Sequence, residues 1–482
     1  MVGDGVKIGL EVHCQLTSLK TKLFCSCPTD YRGKPPNTNI CPVCMGEPGT
    51  LPVLNKEAVR AAVMVALALH SKISRFTYFT RKNYFYPDMA KNFQISQYDG
   101  VGGAPIAKGG YVDLGNGKVV RIRRLQLEED PARLVYEGTI DTATATLVDY
   151  NRHGVALIEI VTEPDITSPE DARRFLQKLR SILEHLGVFD GELEGSMRCD
   201  ANISLEGGVR VEIKNISSYK DVERALRFEI TRQSSLISRG IRVVRETRFW
   251  DERRRVTVSL RVKETEEDYR YFPEPDLPPV VITDEFIDEV KRSLPILPDE
   301  RKRIFVEKYG VSEQNAEVLV NDKALADFFE DCLKHYGKAQ ELSNLLVGDF
   351  LAQLHSLNLS VREVKVKPEY IAKLLRLLDK KVLTGHLAKA VLREMLETGR
   401  DPEAIVEEKG LRRIGSREEL EKIVDRVFRE NRKAVEDALV NEKAVHFLVG
   451  QVMRITRGKA DPNLTRQIIK NKLEKVRASR KA

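Results

Sequence analysis

The chain has 482 residues, 42% of them hydrophobic and 31% charged, which suggests two to four domains with a sizeable core. No apolar run approaches the ~20 residues of a membrane-spanning helix, and residues 1–7 lack the features of a signal peptide, so we expect a cytoplasmic protein with no membrane partner. The net charge of +7 is concentrated at one end, since residues 450–482 carry ten Lys or Arg and two acids. A basic end favours contact with a polyanion, although a solvated terminal helix would have the same composition.

The first 292 residues are predicted to form a mixed α and β domain. Residues 6–16 alternate apolar and polar side chains, which is typical of a half-buried strand. Further strands are predicted at 119–127, 155–161, 209–213 and 256–262. Ser168 followed by Pro169 predicts a helix start, because serine caps helices and proline suits the first turn. Several strands and few helices favour an α+β domain built on one large sheet.

Beyond a proline-rich stretch at 272–279, the apolar residues have helical periodicity almost throughout. We therefore predict a helical domain over 293–404. Glycines near residue 405 indicate a second boundary, and a small helical tail domain is predicted over 405–482. The last helix should begin at Pro462.

Two close pairs of cysteines lie near the start of the chain, Cys25-Ser-Cys27 and Cys41-Pro-Val-Cys44, with thirteen residues between them. Such pairs can supply four thiolates in the tetrahedral arrangement of a structural zinc ion. A site with four thiolates is closed, so we expect this metal to brace the loop and not to take part in chemistry. The alternative is a set of four unrelated buried thiols.

Acidic residues occupy strand positions where apolar residues are expected. Glu11 and His13 share one face of the first predicted strand, Glu129 extends an apolar row, and Glu159 interrupts another. Buried carboxylates are costly unless they are paired, protonated or bound to a cation. They favour a magnesium or manganese site of the kind that holds nucleotide phosphates. The alternative is that they form salt bridges with nearby arginines or lie at exposed strand ends.

Two common sequence signatures are absent. The chain has no Gly-x4-Gly-Lys-Ser/Thr loop, so any use of ATP needs another way of binding phosphates. It also has no Gly-x-Ser-x-Gly motif. Cys14 follows His13, but neighbouring strand residues point to opposite faces, so we predict that Cys14 belongs to the core.

Longer motifs in the same regions resemble those of a known family, the B subunits of the aspartyl/glutamyl-tRNA(Asn/Gln) amidotransferases. The motifs are Ile8-Gly-Leu-Glu-Val-His13, Arg81-Lys-Asn-Tyr-Phe-Tyr-Pro-Asp88, Gln94-Ile-Ser-Gln97, Leu127-Glu-Glu-Asp130, Leu157-Ile-Glu-Ile-Val161, Arg198-Cys-Asp-Ala-Asn-Ile203 and Asp268-Tyr-Arg-Tyr-Phe-Pro-Glu-Pro-Asp276. The resemblance covers essentially the whole chain. It implies a cradle domain similar to the glutamine synthetase and guanidino-kinase fold, followed by helical and tail domains.

The resemblance also implies an activity. ATP phosphorylates the side-chain carboxylate of Glu-tRNA(Gln) or Asp-tRNA(Asn), and ammonia then displaces the phosphate to leave the amide. The family's catalytic magnesium ligands correspond to Glu11, His13, Glu129 and Glu159. The residues expected along the ammonia path are Lys82, Tyr84 and Lys91.

The implied partners are an amidase-type A subunit that releases ammonia from glutamine, a small C subunit, and the tRNA itself. In the basic tail, we predict tRNA contacts at Lys470, Lys472 and Lys475. Two other functions remain open from the residues alone. A non-catalytic, zinc-containing tRNA-binding factor would show no ATP hydrolysis stimulated by Glu-tRNA(Gln), and a free-standing amide ligase would turn over without RNA.

Overall fold

A computed structural model of the chain describes residues 5–100, 104–115, 117–136, 144–205, 208–216, 218–262, 266–414 and 416–481. Its contacts divide the chain into two compact units, Met1–Glu300 and Arg301–Ala482. The first unit combines strands and helices, whereas the described residues of the second form helices and one isolated β-bridge. The predicted order of a mixed α+β part followed by an all-helical part is therefore confirmed.

The first unit is organised around a large sheet. The strands are β1 Val6–Gln15, β2 Lys72–Ile73, β3 Phe76–Thr77, β4 Thr80–Asn83, β5 Phe93–Ser96, β6 Ala107–Lys108, β7 Tyr111–Gly115, β8 Lys118–Glu129, β9 Arg133–Tyr136, β10 Thr146–Asp149, β11 Ala156–Thr162, β12 Met197–Leu205, β13 Val211–Ile216, β14 Glu246–Asp251, β15 Val256–Val262, β16 Phe272–Pro273 and β17 Val280–Val281. Ten of them form one sheet in the order β15-β14-β13-β12-β1-β11-β8-β6-β2, with β7 also paired to β8. A smaller sheet, β16-β4-β5, carries the segment around Lys82.

Helices occur in both units. They are α1 Pro42–Met45, α2 Lys56–Ala68, α3 Pro169–His185, α4 Tyr219–Ser238, α5 Asp284–Arg292, α6 Pro298–Arg303, α7 Glu313–Asn321, α8 Lys323–Leu333, α9 Ala339–Leu345, α10 Leu351–Leu357, α11 Pro368–Asp379, α12 Gly385–Thr398, α13 Pro402–Glu408, α14 Arg417–Glu430, α15 Arg432–Ala438, α16 Glu442–Ile455 and α17 Pro462–Lys481. Within the described residues, none of them is both long and apolar enough to cross a membrane.

Alternation along β1 separates the two faces of the large sheet. Ile8, Leu10, Val12 and Cys14 are at most 1% exposed and belong to the core that α2, α3 and α4 share with the sheet. The odd-numbered side chains therefore point to the opposite face. All five strands predicted from the sequence overlap observed strands, and α3 begins at Pro169, with the Ser168 side chain accepting a hydrogen bond from the Asp171 amide.

The second unit contains two buried clusters, one between Phe305 and Val406 and one between Leu420 and Leu473. Helix α17 begins at Pro462, as predicted. The division into domains at 1–292, 293–404 and 405–482 remains a prediction.

Candidate active site and metal centre

A cavity of about 1190 Å³ lies on the face of the large sheet opposite its core. The central strands β8, β11, β1, β12 and β13 all contribute to its lining. The register of β1 with β11 pairs His13 directly with Glu159, and Glu11 lies two residues earlier on the same face as His13. Three of the four predicted ligands, Glu11, His13 and Glu159, therefore share one face, as expected.

One group of polar side chains is centred on His13. Its Nε2 atom lies 3.4 Å from Glu128 Oε1 and 3.7 Å from Glu159 Oε1. Ser96 donates a hydrogen bond of 3.0 Å to the other oxygen of Glu128. Burial raises the pKa of Glu159, and the charge of Glu128 raises it further. The two carboxylates are thus held close together despite their repulsion.

A second group of acids adjoins the first. Glu11, Asp200 and Glu212 each offer a carboxylate oxygen, and these atoms lie within 4.8 Å of one another. Burial raises the pKa of Glu11, and the charges of Glu159, Asp200 and Glu212 add to this effect. A nearby cation is Lys214, whose Nζ atom lies 3.5 Å from Asp200 Oδ2 and 3.9 Å from Glu212 Oε1.

Sequence reasoning missed Asp200, Glu212 and Glu128. Asp200 and Glu212 alternate with apolar residues on β12 and β13, as polar residues do on any strand with one solvated face. Only the register, which pairs Glu11 with Asp200 and Asn202 with Glu212, brings them to Glu11.

The fourth predicted ligand, Glu129, lies apart from these groups in the structure, and its role as a metal ligand remains a prediction. Glu129 follows Leu125 and Leu127 on the core face of β8, whereas Glu128 points into the cavity. Lys91 Nζ donates to the two carboxylate oxygens of Glu129 at 2.5 and 2.7 Å, and the Ile95 amide donates at 2.8 Å. Glu128 therefore occupies the position in the cavity that was expected for Glu129.

The residues predicted for the ammonia path lie on both sides of β8. Lys82 lines the large cavity, with its Nζ atom 5.0 Å from the ring centre of Tyr269 and 6.0 Å from that of Tyr84. Although burial opposes it, the surroundings of Lys82, including Glu128, raise its pKa. Lys91 instead lines a smaller cavity of about 230 Å³, together with Glu129.

The four predicted zinc ligands are brought together. The Sγ atoms of Cys25, Cys27, Cys41 and Cys44 lie within 4.8 Å of one another, and all four are free thiols. Zinc–sulfur bonds of about 2.3 Å in a tetrahedron place sulfur atoms ~3.8 Å apart, so this group could hold a metal such as zinc. A hydrogen bond from Cys25 lowers the pKa of Cys44 to about 5; burial opposes this shift and the charge of Lys22 assists it.

The cysteine loop also contacts the Lys91–Glu129 pair. Gly46 ends α1 with a left-handed φ of 70°, and a Cβ atom at this position would collide with the Lys91 side chain. The smaller cavity is accordingly lined by both Cys44 and Glu129. The loop thus forms one wall of the space around Lys91.

The three predicted tRNA-binding lysines lie on α17. Lys470 donates to Glu442 at 2.8 Å, and Lys472 donates to Asp425 at 2.5 Å. Lys475 is exposed. Lys470 and Lys472 therefore point toward different neighbouring helices, α16 and α14, so the three lysines do not form one stripe.

Comparisons with known proteins agree with these features. Residues 6–288 match the model of the GatB/GatE catalytic domain, and residues 327–473 match that of the GatB domain. The chain is 55% identical over 466 residues to the B subunit of the aspartyl/glutamyl-tRNA(Asn/Gln) amidotransferase of Sulfurisphaera tokodaii, a match that covers 96% of this chain and 98% of that protein. The corresponding proteins of Thermotoga maritima and Carboxydothermus hydrogenoformans are 51% and 48% identical, in each case over 97% of this chain and 98% of the relative. The chain therefore belongs to the family of aspartyl/glutamyl-tRNA amidotransferase B subunits.

Proposed function

We propose that the chain phosphorylates the side-chain carboxylate of Glu-tRNA(Gln) or Asp-tRNA(Asn) with ATP, and that ammonia then displaces the phosphate to give Gln-tRNA or Asn-tRNA. The observation that carries this proposal is the gathering of two acidic groups on one wall of the large cavity. A carboxylate is a poor electrophile, and its phosphorylation supplies a leaving group. The reaction therefore needs a site that holds a polyphosphate beside an acid.

The acidic groups fit magnesium or manganese. Hard cations prefer carboxylate oxygens, and the raised pKa values of Glu11 and Glu159 reflect burial and, after it, repulsion between carboxylates that a bound cation would relieve. One ion would be held by Glu11, Asp200 and Glu212, and another by His13, Glu128 and Glu159. When bound, such ions neutralise charge on a phosphoryl group in transfer.

Cationic side chains line the same cavity and suit the phosphates of ATP and of the tRNA end. The arginines among them are Arg123, Arg124, Arg210, Arg245 and Arg270. Among the described residues, the Nε atom of Arg124 is buried without a hydrogen-bond partner. Arg124 shares the face of Gln126 and Glu128 on β8, so its guanidinium is available to a bound phosphate.

Ammonia would reach this site from the far side of β8. The smaller cavity is lined by Glu129 and Lys91, and the large cavity is lined by the adjacent Glu128 and by Lys82. The two cavities therefore meet opposite faces of the same strand end. Ammonia would pass the Lys91–Glu129 pair first and then enter the acidic site beside Lys82.

The source of ammonia would be a separate amidase-type A subunit, assembled with this chain and a small C subunit in the cytoplasm. Cys14, the thiol adjacent in sequence to His13, supports this division of labour. It is fully buried in the core, and burial raises its pKa, so it is unsuited to attack glutamine. The tail lysines would contact tRNA.

Adjacent residues of β8 provide a matched test. In the reconstituted complex, Glu128→Gln should slow single-turnover phosphorylation of Glu-tRNA(Gln) by about 100-fold or more, because metal ligation contributes several kcal/mol of charge stabilisation. Glu129→Gln should retain phosphorylation and lose glutamine-dependent amidation. The reverse pattern would contradict the proposal. A non-catalytic tRNA-binding factor would hydrolyse no ATP in response to Glu-tRNA(Gln).

A further inference from the structure

Lys22 is among the largest fully buried side chains of the described residues, with 0% of its surface exposed. Lysine is almost never fully buried unless its charge is paired, because an isolated ammonium loses its hydration. No ion pair joins Lys22 to a carboxylate within the part of the chain that the structure describes. The nearby Glu129 is bonded to Lys91 instead. The positive charge of Lys22 must therefore be balanced by another kind of group.

The contacts of Lys22 identify that group. Its Nζ atom donates to the carbonyl oxygen of Asn39 at 2.8 Å and lies 3.9 Å from Cys44 Sγ. Asn39 belongs to the loop between the two cysteine pairs, and its backbone amide donates to Asn151 Oδ1 at 2.7 Å. Lys22 thus reaches both the second cysteine pair and the loop that precedes it.

Gly154 lies beside this contact. Gly154 has a φ of +84°, and a Cβ atom there would lie 3.5 Å from both Lys22 Cδ and Cys44 Cβ. The same position is 3.9 Å from Glu129 Oε2. The aliphatic part of Lys22 is therefore packed between the cysteine loop and the core face of the sheet, which leaves its ammonium no route to solvent.

The charge of a zinc tetrathiolate matches this arrangement. Four thiolates and one zinc ion together carry two negative charges, which are costly to hold in a partly buried loop. A buried ammonium beside one sulfur offsets part of that charge. Groups that contact metal ligands in this way tune both the affinity for the metal and the electronic state of the ligands.

We propose that Lys22 is a positioning residue of the cysteine metal centre, whose buried ammonium neutralises part of the tetrathiolate charge and fixes Cys44 and Asn39 around the metal. This inference rests on the assignment of zinc to the four cysteines. It is independent of the proposed phosphorylation, so a failure of either one can be told from a failure of the other.

The test measures zinc affinity in the full-length chain by competition with a chromogenic chelator. Lys22→Met keeps the length of the side chain and removes its charge, and it should weaken zinc binding about 10–100-fold. Lys22→Gln keeps a donor for the Asn39 carbonyl without the charge, and it should weaken binding similarly. Lys20→Met is the matched control, since Lys20 is exposed, and it should bind zinc like the wild type.

Two further readouts separate charge compensation from simple packing. In the cobalt-substituted chain, Lys22→Met should shift the thiolate-to-cobalt charge-transfer band to longer wavelength, because the sulfur electrons are less stabilised. The variant should also unfold at a lower temperature than the wild type with zinc bound, but not without zinc. Wild-type zinc affinity in Lys22→Gln, an unchanged cobalt band, or equal losses of stability with and without zinc would overturn the proposal.

Discussion

Replacing Glu11 by glutamine should stabilise the ion-free protein while it removes a proposed metal ligand. A carboxylate oxygen of Glu11 lies within 4.8 Å of those of Asp200 and Glu212. At an effective dielectric constant of ~20, each such pair of charges repels by about 3.5 kcal/mol. Lys214 and the raised pKa of Glu11 offset much of this repulsion. We therefore expect a net gain of about 1–2 kcal/mol.

The gain should depend on pH with a definite sign. Because burial and neighbouring acids raise the pKa of Glu11, the folded protein holds this proton more tightly than the unfolded chain does. The wild type therefore loses stability as pH rises through the pKa of folded Glu11. Glu11→Gln has no such proton to lose, so its advantage should grow between the ordinary pKa of glutamate and the raised pKa of folded Glu11, and then level off.

Tryptophan fluorescence can follow this effect in the first unit alone. Trp250 is the only tryptophan of the chain, and it is 5% exposed in the core below the sheet. A gain of 1–2 kcal/mol should raise the unfolding temperature by about 2–8 °C in a chelating buffer. Glu163→Gln, on the same cavity wall but outside both acidic groups, is the control.

With magnesium present, the wild type should be more stable than Glu11→Gln. Adding magnesium should raise the unfolding temperature of the wild type, since a ligand that binds only the folded state stabilises that state. The same addition should have little effect on Glu11→Gln. Two results would refute the idea that these acids share a cation. One is that Glu11→Gln unfolds at a lower temperature than the wild type in chelator. The other is that magnesium raises the unfolding temperature of the variant as much as that of the wild type.

Three further predictions concern other parts of the chain. Lys91→Met breaks a buried ion pair and should lower glutamine-dependent amidation more than phosphorylation, as parallel assays on one preparation would reveal. Cys27→Ser should leave less than half an equivalent of zinc by elemental analysis and reduce stability more than the rate of phosphorylation. Changing Lys470, Lys472 and Lys475 to glutamate should flatten the dependence of log tRNA affinity on log salt concentration, because each lost phosphate contact releases about one counterion fewer. An unchanged slope of this dependence, in a variant whose circular dichroism spectrum is intact, would contradict the prediction.

Local sequence patterns predicted four of the five strands that carry the acidic groups, namely β1, β8, β11 and β13, but not β12, which carries Asp200. The pattern of β1 correctly separated the core residues from Glu11 and His13. The same rule, applied to β8, groups Glu129 with Leu125 and Leu127, and an apolar row of that kind indicates the core face. The unusual position of an acid in that row and the family resemblance nevertheless both led to the prediction of Glu129 as a metal ligand. In the structure, Glu128 lines the large cavity and Glu129 lines the smaller one.

Contacts between distant strands could not be predicted in this way. Asp200 and Glu212 meet Glu11 because β12 pairs with both β1 and β13, and nothing local in the sequence specifies that order or register. The cysteine group could be predicted from the sequence because its ligands lie within twenty residues of one another. Lys22 is also close in sequence, but its burial depends on how the loop folds against Asn151.

The direction of the pKa shift distinguishes the structural carboxylate of Asp130 from Glu11 and Glu159 in the proposed site. Although burial opposes it, Arg198 and Arg152 lower the pKa of Asp130, so that acid is stabilised as an anion within the fold. The acids on the cavity face are different, because burial and neighbouring carboxylates raise the pKa values of Glu11 and Glu159. A fold gains nothing by assembling carboxylates that repel one another, and strain of this kind persists at sites where a ligand relieves it. This difference supports the proposal that cations and phosphates bind in the cavity.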